Sequence, residues 1–142
     1  MTRAPSSALS VLGLVVVLAG CGPSTETIKV SGTPASPATD GSVTVDPRPE
    51  FGNGTLKIEL KFVTPPERLS PSARVFVVWA KHGTSAENLG TLDYNATDRD
   101  ARFESSVVSG PFVLLVTAET NGRASVPSSF ELLSKTLRGS GE

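Results

Sequence analysis

Few residues of this chain could do covalent or metal chemistry. Its 142 residues include one cysteine, Cys21, and one histidine, His82. A single cysteine cannot form an intramolecular disulfide, and one histidine beside it supplies too few nitrogen and sulfur ligands for a zinc site. Modification of the Cys21 thiol is therefore the covalent chemistry that the sequence favours, and we expect no metal or other cofactor.

Cys21 follows an apolar leader. Arg3 and the α-amino group form a short positive segment, and residues 8–18 are an apolar to weakly polar run of eleven residues. A membrane-spanning helix needs about 20 such residues, whereas about 7–15 are typical of a secretory signal peptide. The leader therefore predicts export, with residues 1–20 as the signal peptide.

The residues Leu18, Ala19, Gly20 and Cys21 match the lipobox of bacterial lipoproteins. This resemblance implies cleavage between Gly20 and Cys21, a diacylglycerol thioether on Cys21 and an acyl group such as palmitate on its new amine. One acyl chain binds a bilayer reversibly, at about 0.8 kcal/mol per buried CH₂, and two or three hold a protein there stably. The alternatives are an ordinary signal peptide before a chance cysteine, or an uncleaved anchor. The resemblance places the protein outside the cytoplasm, and Gly22 in place of Asp favours the outer over the inner membrane.

A tether is predicted after the lipobox. Residues 22–41 are rich in Ser, Thr, Pro and Gly, the composition of an exposed linker, and fully extended they would reach about 60 Å. Two β-like segments interrupt this composition: residues 42–45 predict a strand, and residues 27–31 fit either a strand or the tether. The predicted divisions are a signal peptide at 1–20, lipidated Cys21 and tether at 21–41, a folded domain at 42–138 and a tail at 139–142.

The folded region has the pattern of antiparallel strands. Residues 56–62 alternate apolar and polar side chains, as in a half-buried strand, and residues 74–81 and 112–119 are apolar on both faces, as in central strands. Short strands at even spacing indicate a sandwich or barrel. We predict an all-β fold, a small antiparallel β-sandwich with Ig-like or fibronectin-like architecture but without the cysteines of a true Ig domain. The predicted structural core comprises Phe76, Val78, Trp79, Leu114, Val116 and Glu119.

Four segments of the C-terminal half carry a family resemblance. They are VFVVW at 75–79, NLGTL at 88–92, FVLLVTAE at 112–119 and PSSFELL at 127–133. Their order and spacing resemble the extracytoplasmic domain of anti-sigma-K-type factors, over about half of the chain. The resemblance implies a β-sandwich outside the cytoplasm. It does not extend to sigma-factor binding, because a lipobox stands where those factors have a cytoplasmic segment and a transmembrane helix.

Other candidate sites have simpler interpretations. His82 at a strand end fits a solvated turn better than a base or ligand. Asp93, Asp98 and Asp100 flank one turn, but arginines interleave with them and the spacing of a calcium loop is missing.

Trp79 fits the core or a sheet face better than a ligand pocket, because it lies in the most apolar strand. We expect the Glu119 carboxylate to accept hydrogen bonds from loop backbone N–H groups. A serine nucleophile would have only His82 as its base, and the Gly-x-Ser-x-Gly elbow is absent from the sequence. We therefore predict no catalytic residues and no enzyme activity.

The charge balance bears on partners. Lys and Arg number 13 against 14 Asp and Glu, for a net charge of −1, and the sequence has no basic stripe of the kind that binds nucleic acid. We predict an envelope lipoprotein held at the bilayer by acylated Cys21. Its domain would be a non-catalytic binding module for an envelope protein or cell-wall material. The alternatives are an envelope-stress or signalling accessory related to the anti-sigma domains, and a small-molecule-binding lipoprotein.

Overall fold

The computed structural model describes residues 25–48, 52–108 and 110–138. The leader, Cys21 and the predicted tail at 139–142 lie outside these ranges. In chain order the described elements are β1 (Glu26–Ser31), β2 (Asp40–Arg48), β3 (Asn53–Lys61), α1 (Pro66–Leu69), β4 (Val75–His82), β5 (Ser85–Thr91), β6 (Asp93–Asn95), β7 (Asp100–Val108), β8 (Phe112–Glu119) and β9 (Glu131–Leu137).

These strands form two antiparallel sheets. The five-stranded sheet has the order β1-β2-β3-β7-β6, and the four-stranded sheet has the order β5-β4-β8-β9. One cluster of buried apolar side chains, drawn from both sheets, fills the space between them. The prediction of an all-β antiparallel sandwich is confirmed.

Side-chain alternation explains this core. In β3, Leu56, Ile58 and Leu60 are buried, while Lys57 and Glu59 between them are exposed. Successive side chains of a strand point to opposite faces, so a polar–apolar alternation produces one buried and one solvated face. Of the predicted core residues, the structure places Phe76, Val78, Leu114 and Val116 in this cluster, each with an exposed fraction of 0%. Burial of each such side chain contributes about 1.5–3 kcal/mol to stability.

The sandwich begins earlier than the sequence predicts. Residues 26–31 form β1, which pairs with β2 from Glu26↔Val45 to Ser31↔Asp40. Of the two alternatives for residues 27–31, the structure shows the strand, and the end of the tether predicted at residue 41 is wrong. Thr33 N–H donates to the Leu132 carbonyl at 3.0 Å, so the β1–β2 connection is also bound to the domain. Composition alone misses this, because what orders the segment is backbone pairing with the next strand, β2.

The strands run between two ends of the molecule. We call one of them the N-terminal end. It comprises the start of β1, the ends of β2 and β7, and the β4–β5 turn. The loop end comprises the connections at 32–39, 62–74, 96–99 and 120–130. A nine-residue strand such as β3 is about 30 Å long, at about 3.3 Å per residue. No helix in the described ranges is long and apolar enough to cross a membrane.

Candidate functional site

A second, smaller core lies on the outer face of the four-stranded sheet. It contains Trp79, Val77 and Leu115, with exposed fractions of 0%, 0% and 6%, and Ala124 of the β8–β9 connection packs against it. Trp79 is thus buried, as predicted, but on the opposite face of β4 from Phe76. The β8–β9 connection at 120–130, rather than the second sheet, covers it.

A chain of hydrogen bonds runs beneath this connection. Trp79 Nε1 donates to Thr117 Oγ1 at 2.9 Å, and Thr117 Oγ1 donates to Glu119 Oε1 at 2.6 Å. Ser128 N–H donates to the same carboxylate oxygen at 2.7 Å, which is the type of loop donor that the sequence predicts for Glu119. A buried indole N–H needs an acceptor, and fully buried Thr117 supplies it.

Asn88 on β5 holds the other side of the connection. Its Nδ2 donates to the Gly122 carbonyl at 3.0 Å and the Ala124 carbonyl at 2.9 Å, and its Oδ1 accepts from Gly90 N–H at 2.9 Å. A Cβ on Gly122 would lie 2.4 Å from Thr91 Oγ1, so the connection passes directly against β5. The four segments that carry the family resemblance therefore meet around this connection. Thr117, Asn88 and Ser128 were not singled out from sequence, because their roles depend on contacts across strands.

Trp79, Thr117, Glu119 and Ser128 form a hydrogen-bonded cluster that attaches the 120–130 connection to the sheet. The Glu119 carboxylate accepts from a side chain and a backbone N–H, and the Thr117 hydroxyl both accepts and donates. Groups paired in this way stabilise the connection over Trp79.

The structure does not bring the other candidate residues together with this cluster. His82 is exposed at the end of β4, where its ring lies 5.9 Å from that of Phe112, centroid to centroid. Asn95 Oδ1 accepts from the backbone N–H of Thr97 and Asp98, which forms the turn between β6 and β7. Within 25–48, 52–108 and 110–138, no group of three or more His, Cys, Asp or Glu side chains could hold a metal ion. Gly20 and Cys21, the predicted cleavage and lipidation residues, lie outside these ranges.

The outer face of the five-stranded sheet is polar and solvated. Lys57 lies opposite Glu104, and Glu59 lies opposite Arg102 on the paired strands. Lys57 Nζ is 3.6 Å from Glu59 Oε1, and both side chains are 54% exposed. Cross-strand pairs of opposite charge stabilise a sheet modestly. A surface depression of about 370 Å³ on this face is lined mainly by charged side chains, unlike the apolar lining of most small-molecule sites.

The loop end exposes large apolar side chains. Phe62 is 58% exposed and Phe130 is 43% exposed, and Val126 of the 120–130 connection is 72% exposed. Phe62 and Phe130 flank the 32–39 connection: Thr39 Oγ1 donates to the Phe62 carbonyl at 3.2 Å, and Phe130 lines a depression of about 320 Å³ with Pro34 and other residues. Exposed apolar side chains grouped on one part of a surface commonly mark an interaction site.

Phe62 also has a strained backbone. Its φ is +57°, in the left-handed region, which costs a bulky side chain about 1–2 kcal/mol. The next residue is held by three hydrogen bonds. Val63 N–H donates to the Arg99 carbonyl at 2.9 Å, and the Val63 carbonyl accepts from Tyr94 Oη at 3.3 Å and from Arg99 Nε at 3.4 Å. These bonds fix the strained backbone, although the Phe62 ring is mostly exposed and adds little to the core. Strained backbone of this kind is found at functional sites.

Burial raises the pKa of the Tyr94 phenol, which donates to the Val63 carbonyl. Desolvation raises the pKa of Tyr94, the positive charge of Arg99 lowers it and the negative charge of Glu67 raises it slightly further. The phenol consequently remains a neutral donor to Val63 across the physiological pH range.

Comparison of the chain with protein-family models, curated proteins and solved structures found no match. The resemblances to bacterial lipoproteins and to the anti-sigma domain therefore stay predictions.

Proposed function

We propose that this chain is a membrane-anchored envelope lipoprotein whose β-sandwich is a non-catalytic binding module, and that the loop end contacts its partner. The lipobox supports the anchor. The observation that carries the binding role is the exposure of Phe62 and Phe130 at that end, Phe62 on strained backbone. Aromatic side chains are enriched among the residues that dominate protein–protein affinity, so the favoured partner is another envelope protein.

Photo-crosslinking in intact cells tests the binding surface. Benzoylphenylalanine replaces Phe62 or Phe130, with Thr44 on the outer face of the five-stranded sheet as the matched control position. We expect a discrete adduct from positions 62 and 130 and none from position 44. The absence of an adduct at both loop-end positions, or equal adducts at all three, would contradict the proposal.

The mass of the mature N-terminus tests the anchor. We expect the mature chain to begin at Cys21 and to carry the added mass of a diacylglycerol and an amide-linked acyl chain. An unmodified Cys21 or a retained Met1 would overturn both the anchor and the extracytoplasmic location.

A signalling accessory of the envelope is the second candidate. It is supported by the meeting of the four anti-sigma-like segments around the 120–130 connection, with Trp79 and Glu119 hydrogen-bonded through Thr117. A deletion strain should then show altered transcription of envelope-stress genes. Unchanged transcription under envelope stress would eliminate this candidate.

A further inference from the structure

The distance from Cys21 to the folded domain is short. The described residues begin with Thr25, whose Oγ1 donates to Asp46 Oδ1 at 3.2 Å, and β1 begins at the next residue. Four peptide units separate Cys21 from Thr25. At 3.8 Å between consecutive Cα atoms, they span at most about 15 Å, against about 60 Å for the tether predicted from composition.

The same hydrogen bond shows which end of the sandwich is nearest the anchor. Thr25 and the start of β1 lie beside the end of β2. The end of β7 is at this end too, because Val108 pairs with Asn53 at the start of β3. Val108 is 60% exposed and Pro111 is exposed nearby, so the N-terminal end presents apolar side chains close to the chain's exit point.

Part of the span from Cys21 to Thr25 would lie within the lipid headgroup layer. The headgroup layer on each side of the hydrocarbon core is about 5–8 Å thick, and an acylated Cys21 would lie at its inner boundary. At most about 7–10 Å of chain then remains between the headgroup surface and Thr25, whereas the loop end is about 30 Å farther along the strands.

We propose that the N-terminal end, with Val108 and Pro111, is a membrane-facing surface that contacts lipid headgroups, and that the loop end points away from the bilayer. This inference rests on the proposed lipid anchor and adds the orientation of the domain. The orientation comes from the short linker rather than from charge, because this end carries both acidic residues, Glu26 and Asp46, and basic residues, Lys81 and Arg138.

Fluorescence quenching on vesicles tests the orientation. Val108→Cys and Val126→Cys each introduce one free thiol at an exposed position of the lipidated protein, since the Cys21 sulfur is held in the thioether to diacylglycerol. Each variant is labelled with an environment-sensitive fluorophore and reconstituted into vesicles of phosphatidylethanolamine and phosphatidylglycerol that contain a headgroup nitroxide lipid. We expect quenching at position 108 to be several-fold stronger than at position 126, and to persist in high salt.

A linker variant and a mass measurement separate the two ways in which the idea can fail. A Gly/Ser segment as long as the predicted tether, inserted after Gly22, should reduce quenching at position 108 to the level at position 126. Equal quenching in a protein that is lipidated and floats with vesicles overturns the orientation and leaves the proposed function standing. A protein with unmodified Cys21 that does not float overturns both.

Discussion

Trp79 shows how a single polar atom constrains this domain. Its ring is fully buried outside the main core, and its Nε1 has Thr117 Oγ1 as acceptor. A buried donor left without a partner costs about 1–3 kcal/mol. Thr117 on the outer face of the four-stranded sheet is therefore needed for stability, although it lies outside the main core.

Thr117→Val tests this constraint. The substitution keeps the side-chain shape but removes the acceptor for Trp79 and the donor to Glu119, so we expect the free energy of unfolding to fall by about 1–3 kcal/mol. Denaturant unfolding followed by the fluorescence of Trp79 measures the change. Thr136→Val, the same substitution at an exposed position of β9, should stay within about 0.5 kcal/mol of wild type. Equal effects of the two substitutions would show that the hydrogen bonds do not contribute.

The raised pKa of Tyr94 predicts that the domain loses stability at high pH. Its pKa is raised in the folded state by burial, so the folded chain holds the phenol proton more tightly than the unfolded chain. Its contribution is then complete below the unfolded pKa, near 10, and is lost as the pH rises through the higher folded value. Denaturant unfolding at pH 8 and at about pH 10.5 should show a larger loss for wild type than for Tyr94→Phe. Parallel losses in the two proteins would contradict this reasoning.

Phe62 allows strain and binding to be separated. Phe62→Gly removes the ring and relieves the left-handed backbone, whereas Phe62→Ala removes the ring and keeps the strain. We expect Phe62→Gly to be more stable than Phe62→Ala by about 1 kcal/mol, and both to lose partner capture in intact cells. A glycine variant that is less stable would show that the φ of +57° is not strained, and retained capture would remove Phe62 from the binding surface.

At the scale of elements, two connections between strands determine what is buried on the outer sheet face and what is exposed at the loop end. The 120–130 connection covers Trp79, and the 32–39 connection separates Phe62 from Phe130 at the loop end. Both connections are held by side-chain hydrogen bonds rather than by strand pairing alone, with Asn88 acting on the first and the buried pair Ser36 and Thr39 on the second.

Asn88→Ala should release the 120–130 connection. The substitution removes the donors to two loop carbonyls, at an expected cost of about 1–3 kcal/mol. Hydrogen exchange in a peptide covering residues 120–130 should accelerate, and the emission of Trp79 should shift to longer wavelength as water reaches the ring. Ser125→Ala, at an exposed position of the same connection, is the control. Unchanged exchange in the Asn88 variant would show that the Asn88 hydrogen bonds are not needed to hold the connection.

At the scale of the whole molecule, the two ends of the sandwich differ in what they expose. Four peptide units join the N-terminal end to Cys21, and the loop end carries Phe62 and Phe130. An antiparallel sandwich separates these ends by about the length of a strand, roughly 30 Å. In the proposed lipoprotein, the fold thus provides the reach that a long tether would otherwise supply.

The sequence by itself determined the class of fold and most of the core. The alternation in β3 and the apolar runs of β4 and β8 are local signals, because side-chain direction in a strand depends only on the period of two. The predicted lipid anchor likewise depends on a short contiguous motif, from Leu18 to Cys21.

Only the tertiary structure decided where the domain begins, what covers Trp79 and which apolar side chains stay in solvent. β1 is ordered by pairing with β2, and Trp79 is covered by a connection that starts some 40 positions later in the chain. Composition describes a segment in isolation, whereas backbone pairing and side-chain burial depend on partners outside that segment. The predicted tether therefore shortened to a few residues, and the membrane-facing and partner-facing ends could be proposed only after the fold was known.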